Sequence, residues 1–363
     1  MLMKKNQVTV FMGHGAIASP ERVVVTSDRG EDTISTRKIL IATGSVSARP
    51  PIPGLDGKGV IFSDGALSLA RLPESIVIIG GGAIGAEFGT FYSSFGVKVT
   101  IIEMLDHILP LEDPECVEEL VRAYKRAKVD ILAPAQVKEI KDGDRGKVVA
   151  YSQDGKEGQV EAELVLMATG RWPYLEGLGV EELGLEKQGR ALKVNQRMET
   201  NVPGIYACGD AIGGMLLAHL ASREGKVAVE NARGGDVAMD YRAVPAVVFT
   251  NPEVASVGLN EEAARQAGHD VHVGRFPFRA LGKAMAVGDR TGFVKTVAEA
   301  KKGALLGIQI VGARATDLIA EATVAVQSGL TAEALGAVIH AHPTLPEAIG
   351  EAAEAACGRA IHI

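Results

Sequence analysis

Apolar runs and their breaks divide the chain into stretches of different character. The first 70 residues carry short strand-like runs, Val8 to Phe11, Arg22 to Thr26 and Lys38 to Ala42, separated by Gly and Asp turns. The third run ends at Ala42-Thr43-Gly44-Ser45. It leads into Arg49-Pro50-Pro51-Ile52-Pro53-Gly54, where the prolines fix the backbone and forbid helix, as suits a domain crossover. Ile76-Val77-Ile78-Ile79 reads as a buried strand, the residues from Ala83 onward as a helix, and Val99 to Ile102 as a second strand. Another strand, Glu163 to Ala168, ends at Thr169-Gly170-Arg171. Two strands that end alike, in Ala-Thr-Gly-Ser and Ala-Thr-Gly-Arg, suggest two related domains with one inserted into the other. A short strand then closes on Gly209-Asp210, and a helix is expected from Leu216 to Ala232. From about 244 strands (Ala246 to Phe249, Phe293 to Val297, Leu305 to Val311) precede Ala-rich helices at 316–328 and 331–339, an α+β order.

The most informative stretch joins the strand at 76–79 to Gly80-Gly81-Gly82-Ala83-Ile84-Gly85 and, beyond the helix, to Glu103. Gly80 allows a tight turn, Gly82 lets backbone approach a pyrophosphate, and Gly85 lets helix pack on strand, while the helix N-terminus faces phosphate charge. Glu103 then falls where an adenosine ribose presents its hydroxyls. The bland alternative is a glycine-rich strand-to-helix turn. The unit commonly opens its domain, yet here 75 residues precede it.

Composition narrows the classes. With 363 residues the chain can hold two or three domains, and at 47% hydrophobic and 23% charged it reads as an ordinary soluble protein. A net charge of -7 leaves no basic stripe for a nucleic acid. No apolar run approaches a membrane span, and Lys4-Lys5 is followed by strand-like sequence instead of a signal-peptide core, so a cytoplasmic location is expected. Cys116, Cys208 and Cys357 lie far apart and form no CxxC or CxxxxC pair, which points to structural thiols.

Two weaker constellations stay open on their own residues. Gly209-Asp210 before a helix can bind sugar or ribityl hydroxyls, or can simply be a turn. In His340-Ala341-His342-Pro343-Thr344-Leu345-Pro346-Glu347 a carboxylate five residues after His342 can fix the imidazole tautomer and make it a base for a thiol proton; a helix cap or an idle surface pair explains the same residues. His340 and His342 lack a third metal ligand, so no metal is expected.

Taken in order, these landmarks resemble the pyridine nucleotide–disulfide oxidoreductases, and among them the dihydrolipoamide dehydrogenase branch. The resemblance rests on Ala42 to Ser45, the glycine turn with Glu87, Ala168 to Arg171, Gly209-Asp210 with Ala218-His219, Asn251-Pro252-Glu253-Val254-Ala255, and His342-Pro343-Thr344 with Glu347. It implies an α/β fold in which an NAD-binding Rossmann-like domain (74–172) is inserted in a partial FAD-binding domain (1–73 and 173–243), followed by an α+β dimerisation domain (244–363). It implies NAD on Gly80, Gly82, Ile84, Gly85, Glu87, Glu103, Val137 and Gly170. It implies FAD near Gly15, Thr43, Gly44, Ser45, Asp210, Leu216, Leu217, Ala218 and His219. His342 would be the acid/base, oriented by Glu347 and serving the partner subunit of a homodimer, with a lipoyl group of a 2-oxo acid dehydrogenase complex or related lipoyl protein as substrate. Glu103 disfavours a 2′-phosphate, so glutathione reductase and other NADP-using relatives fit less well. Mercuric reductase also fits less well, since it resembles a chain ending in paired cysteines.

The family also implies a first glycine fingerprint for FAD and a helix with paired redox cysteines, and neither occurs in this sequence. The expectation is therefore a chain lacking the N-terminal segment, with weakened FAD binding and impaired turnover. The alternatives are a non-catalytic NAD-binding dimer and a flavin-dependent NADH diaphorase that needs no disulfide.

Overall fold

The run at 76–79 lies at the centre of a five-stranded parallel sheet ordered Val60–Ile61, Leu164–Met167, Ser75–Ile79, Lys98–Ile102, Asp130–Leu132. The central strands are continuously apolar because both faces are covered. Ile76, Ile78, Val99 and Ile101 pack with Ala86, Tyr92, Leu120 and Tyr124 of helices Ala83–Ser94 and Pro114–Arg126. Val77, Ile79, Ile102 and Val165 pack on the other face with Val149 and Ala162 of an antiparallel sheet, Gln136–Asp142, Lys147–Gln153 and Lys156–Ala162.

This computed structural model describes residues 2–363 and divides by contacts into two units. One runs to Val46 and resumes at Arg171–Asp240; the other combines Ser47–Gly170 with Tyr241–Ile363. The sheet domain thus begins well before residue 74, where the apolar pattern put its boundary. Val60–Ile61 pairs with Leu164–Met167, and Ile52 and Leu55 of the Pro-rich connector pack against the sheet. A two-residue strand is too short to show periodicity, so the sequence could not announce it.

Residues 244–363 form a five-stranded antiparallel sheet ordered Pro245–Val248, Glu253–Gly258, Leu305–Gly312, Gly292–Glu299, Val271–Pro277, with helices Ala315–Gln327 and Glu347–Ala356 packed on it. The helix expected at 331–339 is confined to Ala332–Gly336, capped by the Thr331 side chain. Inside the same unit a buried ion cluster fastens this sheet to helix Pro114–Arg126 of the parallel-sheet domain. Lys295 Nζ, with its side chain 3% exposed, lies 2.9 Å from Asp113 Oδ2 and 2.7 Å from Glu115 Oε1, and Arg275 Nε donates to Glu115 Oε2 at 2.7 Å. Asp113 also caps helix Pro114–Arg126 through Glu115 N.

The Arg275 hydrogen bond, joined by Lys295, holds the Glu115 carboxyl down at about 2 despite partial burial. A depressed carboxylate contributes stability above its unfolded pKa and loses it as pH falls through the folded value. The melting temperature of the wild-type chain should therefore decline between the ordinary glutamate range and pH of about 2, and Glu115→Gln should remove part of that decline. Parallel calorimetric pH series would check it; identical slopes would show that the cluster contributes nothing.

In the other unit, His14–Ser19, Arg22–Ser27 and Gly30–Ser35 form an antiparallel sheet, and Ile39–Ile41 pairs in parallel with Ile205–Ala207. The run Val8 to Phe11, read as a strand, has no sheet partner; Val8 and Val10 are half exposed, so its apolar side chains find no face to bury. Gly13-His14-Gly15 leads into a strand and not into a helix.

Candidate functional site

Each glycine of the turn answers a different steric demand. Gly80 has φ +107, and a Cβ there would lie 2.3 Å from the Ala168 carbonyl oxygen. A Cβ on Gly85 would stand 1.9 Å from the Gly80 oxygen, so strand and helix approach closely only through glycine. Gly82 differs. It caps helix Ala83–Ser94 with φ -69 and ψ -172, which any residue can adopt, and no atom lies within 4 Å of where its Cβ would be. Open space therefore faces the backbone at the helix N-terminus, where unpaired N–H groups and the helix dipole attract an anion.

Glu103 follows strand Lys98–Ile102 and is 8% exposed. Its carboxylate accepts from Gly81 N at 2.6 Å and from Leu105 N at 2.8 Å, so it braces the glycine turn itself while keeping lone pairs for a sugar hydroxyl. Ala135 N donates to the Glu103 carbonyl at 2.7 Å, which sets Val137, the second residue of its strand, near this acid. Gly170, with φ +103 and nothing within 4 Å of where a Cβ would be, lies beyond strand Leu164–Met167. Ile84 and Glu87 belong to the first turns of helix Ala83–Ser94, and Glu87 Oε1 accepts from Phe249 N at 3.0 Å. These residues gather at the carboxyl ends of the parallel strands, the usual place for a ligand in such a sheet. They fit a dinucleotide: an open backbone cradle for pyrophosphate and a carboxylate for ribose.

The candidate flavin residues fall in the other unit. Ser45 donates its hydroxyl to Asp210 Oδ2 and accepts from Arg171 Nε at 2.7 Å, while Arg171 Nη2 holds the Ser45 carbonyl at 2.7 Å. This Arg171–Ser45–Asp210 chain orients the acid in its 3-10 turn Gly209–Ile212. Arg171 was not singled out from the sequence as a site residue; the parallel between the two Ala-Thr-Gly strand ends was the signal that could have found it. Gly44, at φ +70 with no atom within 4 Å of where a Cβ would be, leaves space at the strand end. Thr43 spends its hydroxyl on the Tyr174 carbonyl at 2.6 Å. Leu216 holds a left-handed φ of +51 ahead of Leu217, the N-cap residue, and Ala218 and His219 open helix Ala218–Ala232. Gly15 lies in strand His14–Ser19 with nothing within 4 Å of its Cβ position. An acid for ribityl hydroxyls beside an open glycine backbone and a helix N-terminus fits part of a flavin site.

His342 and Glu347 do meet. His342 Nδ1 is 2.8 Å from Glu347 Oε1, and Glu347 Oε2 accepts from Thr344 N at 2.8 Å. The Glu347 carboxyl is held below the usual range: burial pushes it up, but the Thr344 N–H and the adjoining histidines outweigh that. Glu347 also opens helix Glu347–Ala356, so the cap and the histidine partner are one residue. Nδ1 bound to the carboxylate leaves Nε2 of a 77% exposed ring available as a proton acceptor. The three cysteines are free, and burial pushes each thiol up, most strongly at Cys116.

No described helix is long and apolar enough to cross a membrane. Comparison with known proteins agrees with the two-part architecture. The pyridine nucleotide-disulphide oxidoreductase family matches residues 1–225, and its dimerisation domain matches residues 244–353. Among curated relatives, a dihydrolipoyl dehydrogenase of Geobacillus stearothermophilus is 40% identical over 363 residues, covering 100% of this chain and 77% of that protein. The mitochondrial dihydrolipoyl dehydrogenase of Pisum sativum is 40% identical, covering 100% and 73%. Among solved structures, a Cu(II) complex of a cysteine-to-serine mutant of the HOCl-induced flavoprotein disulfide reductase from Escherichia coli superposes with a TM-score of 0.89 at 30% identity, covering 97% of this chain and 80% of that one. LpdA from Mycobacterium tuberculosis gives 0.89 at 30%, covering 97% and 78%. With both family regions matched in order, the chain belongs to the pyridine nucleotide-disulphide oxidoreductases, as an FAD- and NAD-dependent oxidoreductase of lipoamide dehydrogenase type.

Proposed function

We propose that this chain serves the NAD-linked oxidation of dihydrolipoamide carried by a lipoyl protein such as a 2-oxo acid dehydrogenase complex, acting as a homodimer. The observation that carries the reading is the pairing of an open glycine cradle braced by Glu103 with an exposed His342 oriented by Glu347. When bound, FAD supplies the electron-pair relay and NAD the final hydride acceptor. The backbone at Gly82 and the N–H groups of the following turn would bind pyrophosphate, Glu103 would hold the ribose, and Asp210, oriented through Ser45 and Arg171, the ribityl hydroxyls. Glu347 keeps a proton on His342 Nδ1, so Nε2 takes the proton from a substrate thiol and returns it in the reverse direction.

A second reading, a flavin-dependent NADH diaphorase, is favoured by the cysteines alone: Cys116 and Cys208 are buried, and all three are unpaired. Titration of NADH into the purified chain, followed by turnover with added FAD and either lipoamide or a dye acceptor, tests both. Saturable NADH binding is expected on both readings, with lipoamide turnover on the first and dye reduction alone on the second. Dye reduction without lipoamide turnover would overturn the first reading; absence of NADH saturation would sink both.

A further inference from the structure

His340, two residues before the proposed base, is its opposite in setting: its side chain is 11% exposed where that of His342 is 77% exposed. Nε2 of His340 lies 2.7 Å from Glu321 Oε1, and Nδ1 lies 3.1 Å from the Val338 carbonyl oxygen. A carboxylate and a carbonyl can only accept. Both ring nitrogens of His340 therefore face acceptors. Glu321 belongs to helix Ala315–Gln327, whereas the ring lies against Gly350 of helix Glu347–Ala356, where an added Cβ would stand 3.0 Å from Cε1 and Nδ1. Any larger residue at 350 would have to push the ring away. A hydrogen bond to one helix and close contact with the other thus grip the same ring.

The turn carrying His342 is tied locally by Thr344, whose hydroxyl donates to the Ala341 carbonyl at 2.6 Å and whose N–H donates to Glu347. Those bonds shape the turn, while His340 links it to helix Ala315–Gln327. We propose that His340 is a positioning residue for His342: a largely buried ring that ties the 338–344 segment to both helices, so that His342 keeps its Nδ1–H on Glu347 and presents Nε2. The proposal rests on the reading of His342 as an oriented base. His340 itself touches no reacting group. It acts by narrowing the orientations of its neighbour, because the Glu347 bond persists only while both ends stay in register.

Histidine-selective 15N spectra of the whole chain, read at mildly alkaline pH, provide the test. The wild type should show His342 as a fixed Nδ1–H tautomer, with Glu347→Gln used to identify its signals. His340→Gln should lower the ratio of the His342 tautomers by roughly threefold or more, and Glu321→Gln, which keeps the shape of its helix, should shift it in the same direction. The Glu321 variant decides the matter if His340→Gln does not fold. A His342 tautomer that stays fixed in the folded variants would overturn the proposal alone. A wild-type spectrum with no fixed His342 tautomer would overturn the oriented-base reading and this proposal together.

Discussion

Gly82→Val should abolish measurable NADH binding while leaving the melting temperature within about 2 °C of wild type. The backbone at Gly82 already sits where valine is allowed, and nothing lies within 4 Å of its Cβ position, so the new Cβ meets no protein atom. The isopropyl group would instead occupy the space through which a pyrophosphate must reach the helix N-terminus. Loss of that approach should raise the dissociation constant at least ~100-fold, equivalent to about 3 kcal/mol. Gly85→Val adds the same atoms with the opposite outcome. Its Cβ would be forced to 1.9 Å from the Gly80 oxygen, and such overpacking costs about 1–3 kcal/mol or more, so the fold should weaken along with binding. Nucleotide fluorescence titration beside calorimetry separates the two. If Gly82→Val melts as low as Gly85→Val, the distinction between an open cradle and a packing contact is lost.

Glu103→Gln should weaken NADH binding by ~10-fold or more and narrow the preference for NADH over NADPH, with a fall in stability as well. The carboxylate accepts from both Gly81 N and Leu105 N in a nearly buried position. An amide can accept at only one of its two terminal atoms, so one backbone N–H loses its partner, at a cost of about 1–3 kcal/mol. Binding suffers doubly, since the turn is less firmly held and a charged acceptor for ribose is gone. The repulsion that a 2′-phosphate meets also disappears, which is why NADPH should lose less affinity than NADH. Competitive titrations with both nucleotides would show this. An unchanged NADH-to-NADPH ratio would leave Glu103 as a brace only.

The parts of this protein legible in its sequence are those where a local rule and the tertiary environment coincide. Ile76 to Ile79 announced a central strand because a strand covered on both faces must be apolar throughout. Gly80 and Gly85 announced the turn because a positive φ and a close packing contact each exclude side chains, Gly82 leaves its backbone open, and Glu103 follows at the spacing a strand–helix–strand unit imposes. The strands and helices beyond residue 244 were legible for the same reason, each long enough to show its period.

The tertiary structure decided the rest. Val60–Ile61 became a strand only because Leu164–Met167 lay beside it, while Val8 to Phe11, with a better pattern, found no partner. Arg171, Ser45 and Asp210 form one hydrogen-bonded chain although Ser45 is 126 positions from Arg171 and 165 from Asp210, a separation no spacing rule reaches. The spacing pointed to His342 and Glu347, but only the fold shows that His340 is the more buried of the two rings, against Gly350 and Glu321, while His342 stays exposed beside Glu347. Sequence by itself determined the longer elements and the glycine cradle, since those depend on sterics within a few residues. Which polar groups meet, and which of them remain open to solvent, depends on the desolvation and pairing that only the folded chain supplies.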